Sequence, residues 1–379
     1  MPQVVEDLTR LVAFPSVSDR ALDDLAAWLA ARLEDLGFTV DRFPDPTQPG
    51  KSSLIASIGP KNTDGLVLSG HMDVVPVADQ PWTSDPFRLV ERDGRLFGRG
   101  AADMKGFFAA TLGALARIPR QAYRRELVLI WTHDEEVGCL GSAVLVDALA
   151  GTGRTFPSAC LIGEPTDFQV LRMHPGHVAI ELEVTGRSAH SSRPDLGINA
   201  IEGASRLVSE AVSLAKELGE EHADIPELER PWVALNVASI HGGTAVNIVP
   251  DRCSIRVGYR PLPGMGTDEV FERMIERVPT DLKSRTVARV LRRTPALLTP
   301  AGTPLEGELA EHALHHAVGA ASFATDGGNL ARLGMLPLVF GPGSITVAHQ
   351  PDEYIPVDQL VRAVDVIEGV VRRRCCARG

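Results

Sequence analysis

Thiol chemistry is sparse in this sequence. The five cysteines (Cys139, Cys160, Cys253, Cys375, Cys376) form an odd set with no CxxC pair. That suits a reducing compartment and excludes a disulfide framework or a thiolate zinc site, so any metal must be held by histidine and carboxylate. No stretch approaches the roughly 18–20 apolar residues of a membrane span. The opening MPQVVEDLTR carries acids where a signal peptide has a basic and then an apolar region. A soluble, cytoplasmic protein with no membrane partner is expected. Basic charge is not in excess either: 38 Lys and Arg against 49 Asp and Glu give a net charge of −11, which disfavours a phosphate-tracking surface and hence nucleic acid. Internal repeats and low-complexity segments are absent.

What is present is ordinary globular material, 44% hydrophobic and 23% charged, in 379 residues. That length exceeds one ordinary core, since domains run roughly 100–200 residues, so two lobes are expected. Leu22, Leu25, Leu29, Leu33 and Leu36 recur at helical spacing and Gly37 follows as a stop signal, predicting a helix over 21–36. SSLIASIG, GLVLSGH, ELVLIWTH and ACLIGEP are short apolar runs bounded by turn formers, the pattern of buried strands, with a helix over 103–118 between them. Strands alternating with helices imply an α/β lobe with a mainly parallel sheet.

From His177 the texture changes. VAIELEVTGRSAH alternates apolar and polar residues, as a half-exposed antiparallel strand does. A helix (199–218), strands (232–241 and 252–259) and a helix (267–277) follow, in the order β-α-β-β-α. After Pro295 the earlier grammar resumes, with helices over 305–317 and 357–374 and a strand over 337–340 between them. The reading is a catalytic domain of residues 1–176 and 293–379, with an α+β, ferredoxin-like domain of residues 177–292 inserted as lid and dimerisation unit. The RRRCCARG tail reads as a frayed helix end.

Polar groups cluster directly after the strands of the first lobe, where open α/β sheets place ligands. SGHMDVVP sets His71 and Asp73 two apart, so that His71 can bind metal while Asp73 holds its other ring nitrogen; taken alone, such a pair is more often a turn or cap. Asp103, in GRGAADMKG, is either a helix cap or a carboxylate able to bridge two ions. Asp134, Glu135 and Glu136 close a hydrophobic strand. Such a run is usually a solvated loop, but acids this close repel unless cations compensate them. IGEPTD adds Glu164, and GPGSITVAHQPDEY adds His349. Imidazole and carboxylate without thiolate suit two zinc, cobalt or manganese ions about 3.5 Å apart in a hydrolytic site.

These five ordered segments resemble the di-zinc aminoacylase and carboxypeptidase family, which includes acetylornithine deacetylase, succinyl-diaminopimelate desuccinylase and glutamate carboxypeptidase. The resemblance covers nearly the whole chain. It implies that Asp103 bridges two metal ions, with His71 and Glu164 completing one site and Glu136 and His349 the other. It also implies that Glu135 is the general base, that Asp73 orients His71, and that the Asp103–Met104 peptide is cis. In GRSAHSSRP, His190 resembles the lid histidine that reaches a partner subunit's site and binds the developing oxyanion, which implies a homodimer. Asn247 in VNIVPD matches a lid position, and Arg260 in GYRPLPG resembles an arginine that grips the substrate α-carboxylate; taken alone, such an arginine is most often a surface ion pair.

The implied reaction is metal-assisted amide hydrolysis of an N-acyl amino acid. GPGSITVAHQPDEYI, YRPLPG and RSAHSSRPDLGINAIE look most like acetylornithine deacetylase, so N-acetyl-L-ornithine, yielding ornithine and acetate in arginine biosynthesis, is the first expectation. ATDGGNLARLG departs from that pattern, although Asp326 there is expected to meet a distal substrate amine. A desuccinylase, a glutamate carboxypeptidase, a broad aminoacylase, a di-zinc aminopeptidase and a catalytically silent dimeric scaffold are the alternatives. His312, His315 and His316 are expected to share one helix face at the surface, His174 and His177 to sit at the domain hinge, and His133 to lie near the acid cluster.

Overall fold

The computed structural model describes residues 3–61 and 64–377. Two compact units divide them: one comprises the residues up to Met173, Thr299–Ala320 and those from Thr325 onward, and the other comprises His174–Leu298 and Ala321–Ala324.

The first unit is built on a mixed sheet. Its centre is four parallel strands side by side, Leu127–Thr132, Leu66–His71, Ala159–Ile162 and Leu336–Val339. Three of them are buried along their whole length, as continuous apolar runs covered on both faces should be. Ser52–Ile58 and Thr39–Pro44 extend one side antiparallel, and Gln169–His174 joins the other side antiparallel to Leu336–Val339. Helices Gln3–Val12, Lys105–Leu115 and Val357–Val371 pack together, with Leu8, Phe108, Val364 and Ile367 in the core.

The second unit is a four-stranded antiparallel sheet in the order Leu235–Gly242, Arg252–Tyr259, His177–Thr185, Thr286–Thr294. With helices Ala200–Glu220 and Glu269–Glu276 between the strands, this is a ferredoxin-like β-α-β-β-α-β arrangement. Asn199 caps the long helix, its side chain accepting from the N–H groups of Ile201 and Glu202.

Two expectations are corrected. The helix expected over 305–317 ends at Ala310, and His315–Ala320 is a strand pairing in parallel with Gln169–His174. His315 and His316 are therefore strand residues, because an open sheet edge captures a segment whose apolar spacing also fitted a helix. The second is that the β-α-β-β-α order is closed by a further strand, Thr286–Thr294, in which TVARVLRRT alternates in exposure along its length.

Candidate metal centre

Apart from Asp103, each acidic or imidazole group of the centre lies at or beyond the carboxyl end of a parallel strand. His71 ends its strand, Glu135 and Glu136 follow Leu127–Thr132, Glu164 follows Ala159–Ile162, and His349 lies beyond Leu336–Val339. Asp103 sits in the turn before helix Lys105–Leu115, and its peptide bond to Met104 is cis. The helix can approach Glu164 because residue 163 is glycine: a Cβ there would overlap the ring of Phe107.

Asp103 stands between the two imidazoles, with Oδ1 3.0 Å from His71 Nε2 and Oδ2 3.2 Å from His349 Nε2. His349 Nε2 is also 2.9 Å from Glu136 Oε2, and His71 Nε2 is 4.0 Å from Glu164 Oε1. Two groups have donor atoms close enough to share an ion, His71 with Asp103 and Glu136, and His71 with Glu135 and Glu164. Glu135 is thus within ligand reach, and donor distances alone do not separate it from the ligands. The first acid of the same run, Asp134, points elsewhere: its carboxylate is buried against Lys51 Nζ at 2.6 Å.

Asp73 acts differently from expectation. His71 Nδ1 lies 2.9 Å from the Asp73 main-chain carbonyl, while the nearer carboxylate oxygen is 3.7 Å away. The carboxylate instead accepts from the N–H groups of Glu135 (3.0 Å) and Glu136 (3.2 Å) and from the Ser18 hydroxyl (2.7 Å). Two amides in a tight buried loop need an acceptor, and Asp73 provides it. Glu353, in AHQPDEY, does the same for the opposite loop. It accepts from the N–H groups of Gly100, Ala102 and Asp103 and from Arg99. Its signal was an acid in a glycine-flanked motif, four residues after His349. Lys51, in contrast, carried no sequence signal.

The electrostatics are those of crowded, buried acids. Burial first, and then Asp103, lift Glu136 to about 7; the same two causes push Glu164 well above its ordinary value. Burial also raises Glu135 strongly, assisted by Asp326, Glu136 and Asp73 and opposed by His71. Hydrogen bonds to Asp103 and then Glu136 raise His349 to about 10. For His71, burial favours the neutral ring but the bond to Asp103 outweighs it, and the pKa is raised. Four carboxylates facing two imidazoles would be balanced by divalent cations, and an oxygen and nitrogen donor set fits such ions. Burial and the neighbouring Glu135 hold the Cys139 thiol far above its usual pKa, so it stays a thiol and offers no thiolate.

Asp326 is 2% exposed and accepts from the Thr132 hydroxyl, so it belongs to the charges under Glu135 and is not an exposed contact for a distal amine. His133 is buried 3.5 Å from Asp134 and 3.7 Å from Asp45. On the second unit, His190 and Asn247 lie on facing segments: His190 bridges to Ile248, and the Ser191 N–H donates to the Asn247 carbonyl. Arg260 follows the strand Arg252–Tyr259 and is exposed.

Buried acids and imidazoles gathered at the carboxyl ends of a parallel sheet define a metal-dependent hydrolase. The model of peptidase family M20/M25/M40 matches residues 67–373, and the chain belongs to that family. Among solved structures it is similar to an M20 family metallo-carboxypeptidase from Sulfolobus solfataricus (18% identity over 98% of this chain and 99% of that one, TM-score 0.76). It is also similar to aminopeptidase PepT from Bacillus cereus (19% identity, 97% of each chain, TM-score 0.73). A third is a dinuclear metal binding peptidase of the M20 family from Bacillus subtilis (16% identity, 98% and 97%, TM-score 0.67). At these identities the likeness is one of fold. Among the described residues no helix is long and apolar enough to cross a membrane.

Proposed function

We propose that the protein hydrolyses the amide bond of N-acyl-L-amino acids, with N-acetyl-L-ornithine as substrate and L-ornithine and acetate as products. The observation that carries the hydrolytic reading is the setting of Glu135. Its side chain is buried beside the ligand cluster, its N–H is fixed by Asp73, and its Oε1 receives the Cys139 thiol proton donor at 3.3 Å. A carboxylate held there with raised basicity is suited to take a proton from the attacking water and return it to the leaving amine.

His71, Asp103 and Glu164 would hold one divalent ion and Asp103, Glu136 and His349 the other, zinc or cobalt, and when bound the pair supplies Lewis acidity and lowers the pKa of water. On the second unit, the family resemblance supports His190 as donor to the carbonyl oxygen as charge develops, Asn247 as a neighbouring lid residue and Arg260 as the grip on the α-carboxylate. A homodimer through the inserted domain belongs to the same proposal, and sedimentation velocity decides it. The choice of acetylornithine rests on the resemblance of the GPGSITVAHQPDEYI and YRPLPG segments. Amine release from N-acetyl-L-ornithine, N-succinyl-diaminopimelate, N-acetyl-L-methionine and a glutamate-terminated dipeptide tests it. Preference for acetylornithine is expected; preference for another of the four overturns the specificity and leaves the chemistry.

A further inference from the structure

The sheet does not hold all the groups of the centre equally well. His71 ends a parallel strand and Glu164 stands just beyond another, whereas His349 lies far along the loop that follows Leu336–Val339. The His349 side chain is 47% exposed, against 1% for His71 and 5% for Glu164. Its backbone is left-handed, with φ 63°, a conformation that a residue other than glycine keeps only where its surroundings hold it there.

The hold comes from another loop of the same unit. The main-chain carbonyl of His349 accepts from Gln80 Nε2 at 2.9 Å, and Gln80 lies in the segment between the strands Leu66–His71 and Val90–Arg92. The Gln80 amide is itself oriented from behind. Its Oε1 accepts from Arg99 Nη2 at 2.5 Å and from Trp82 Nε1 at 3.1 Å, which leaves Nε2 as the atom turned to His349. Arg99 is 1% exposed and lies 5.0 Å from the centre of the Trp82 ring. Its Nη1 donates to Glu353 Oε2 at 2.8 Å and to the Gln350 carbonyl at 3.3 Å. Glu353 in turn accepts from the amides of Gly100, Ala102 and Asp103. One buried guanidinium thus ties the turn that carries Asp103 to the loop that carries His349, and Gln80 passes that tie to His349 itself. Thr83 adds a second tie between the two loops, its N–H and hydroxyl meeting Asp352 Oδ1 at 3.0 and 3.1 Å.

We propose that Gln80 is a positioning residue for the ion that Asp103, Glu136 and His349 would hold. By gripping the His349 carbonyl it sets the affinity for that ion and leaves the affinity at His71, Asp103 and Glu164 unchanged. The contrast follows from the contacts: His71 is fixed by its own strand and by the Asp73 carbonyl at its Nδ1. The inference rests on the reading of two divalent ions in this centre.

The test is zinc titration of the EDTA-stripped full chain by calorimetry against a competing chelator, without substrate, for the unaltered chain, Gln80→Met and His349→Ala. Methionine keeps the length of the side chain and removes its donor. The binding step that His349→Ala weakens most identifies the ion at that site. Gln80→Met is expected to weaken the same step about tenfold or more and to leave the other unchanged. Equal weakening of both steps, no change in either, or a loss confined to the other step overturns the proposal. Fewer than two zinc ions bound by the unaltered chain, or His349→Ala binding both as tightly as that chain, instead overturns the two-ion reading and this proposal with it.

Discussion

Glu135 and Glu136 are neighbours with the same side chain, yet their surroundings divide the work between them. Glu136 is drawn to His349 at 2.9 Å, whereas among the described residues Glu135 receives only the weak Cys139 donor on its carboxylate. Glu135→Gln should therefore lower turnover by about a thousandfold or more and leave zinc stoichiometry by calorimetry unchanged; loss of bound zinc in that variant would make Glu135 a ligand. The same residues set a pH dependence for the metal-free chain. Glu136, lifted from 4.5 to about 7, binds its proton more tightly folded than unfolded, so its contribution is full below 4.5 and lost as pH rises through 7. His349, raised from 6.5 to about 10, contributes fully below 6.5 and loses that contribution as pH rises through 10. Both point the same way. The Tm of EDTA-treated protein should fall between pH 5 and 9, and added zinc should raise it most at the alkaline end; a Tm that climbs with pH without metal would contradict this assignment.

At the scale of elements, the acid loop is held by the Asp73 carboxylate and by the buried Lys51–Asp134 pair, in which Lys51 Nζ also donates to the Ser18 carbonyl. Removing one partner of a buried pair leaves the other charge without compensation. Lys51→Met should cost about 3–5 kcal/mol in urea denaturation, and a loss within experimental error would mean that Asp134 finds another partner. Elements with unambiguous signals were legible in the sequence. The strand Arg252–Tyr259 has the bounds expected, and helix Ala200–Glu220 starts one residue after the Asn199 at which it was expected to begin. Thr286–Thr294 was hidden because its arginines disguise a period of two, and residues 315–317 do not continue the expected helix because the parallel neighbour that claims them is more than one hundred residues away in sequence. Long-range pairing of that kind leaves little local trace.

For the whole molecule, the residues now gathered around Asp103 were legible as a set, because strand ends followed by His, Asp or Glu predict convergence once the sheet is parallel. Their supports were not. That Asp73 would turn its carboxylate to two loop amides, that Glu353 would clasp three more, and that Lys51 would anchor Asp134 all depend on loops meeting from distant parts of the chain. The family and the fold are established by the match over residues 67–373 and by the sheet order. The central claim beyond them is that this centre hydrolyses an amide with two divalent ions in place. The direct measurement is amine release from N-acetyl-L-ornithine as zinc is returned stepwise to the EDTA-stripped chain. The account predicts negligible release without metal and a rise that saturates near two zinc ions per chain; full activity in the stripped protein, or none at any zinc level, would contradict it.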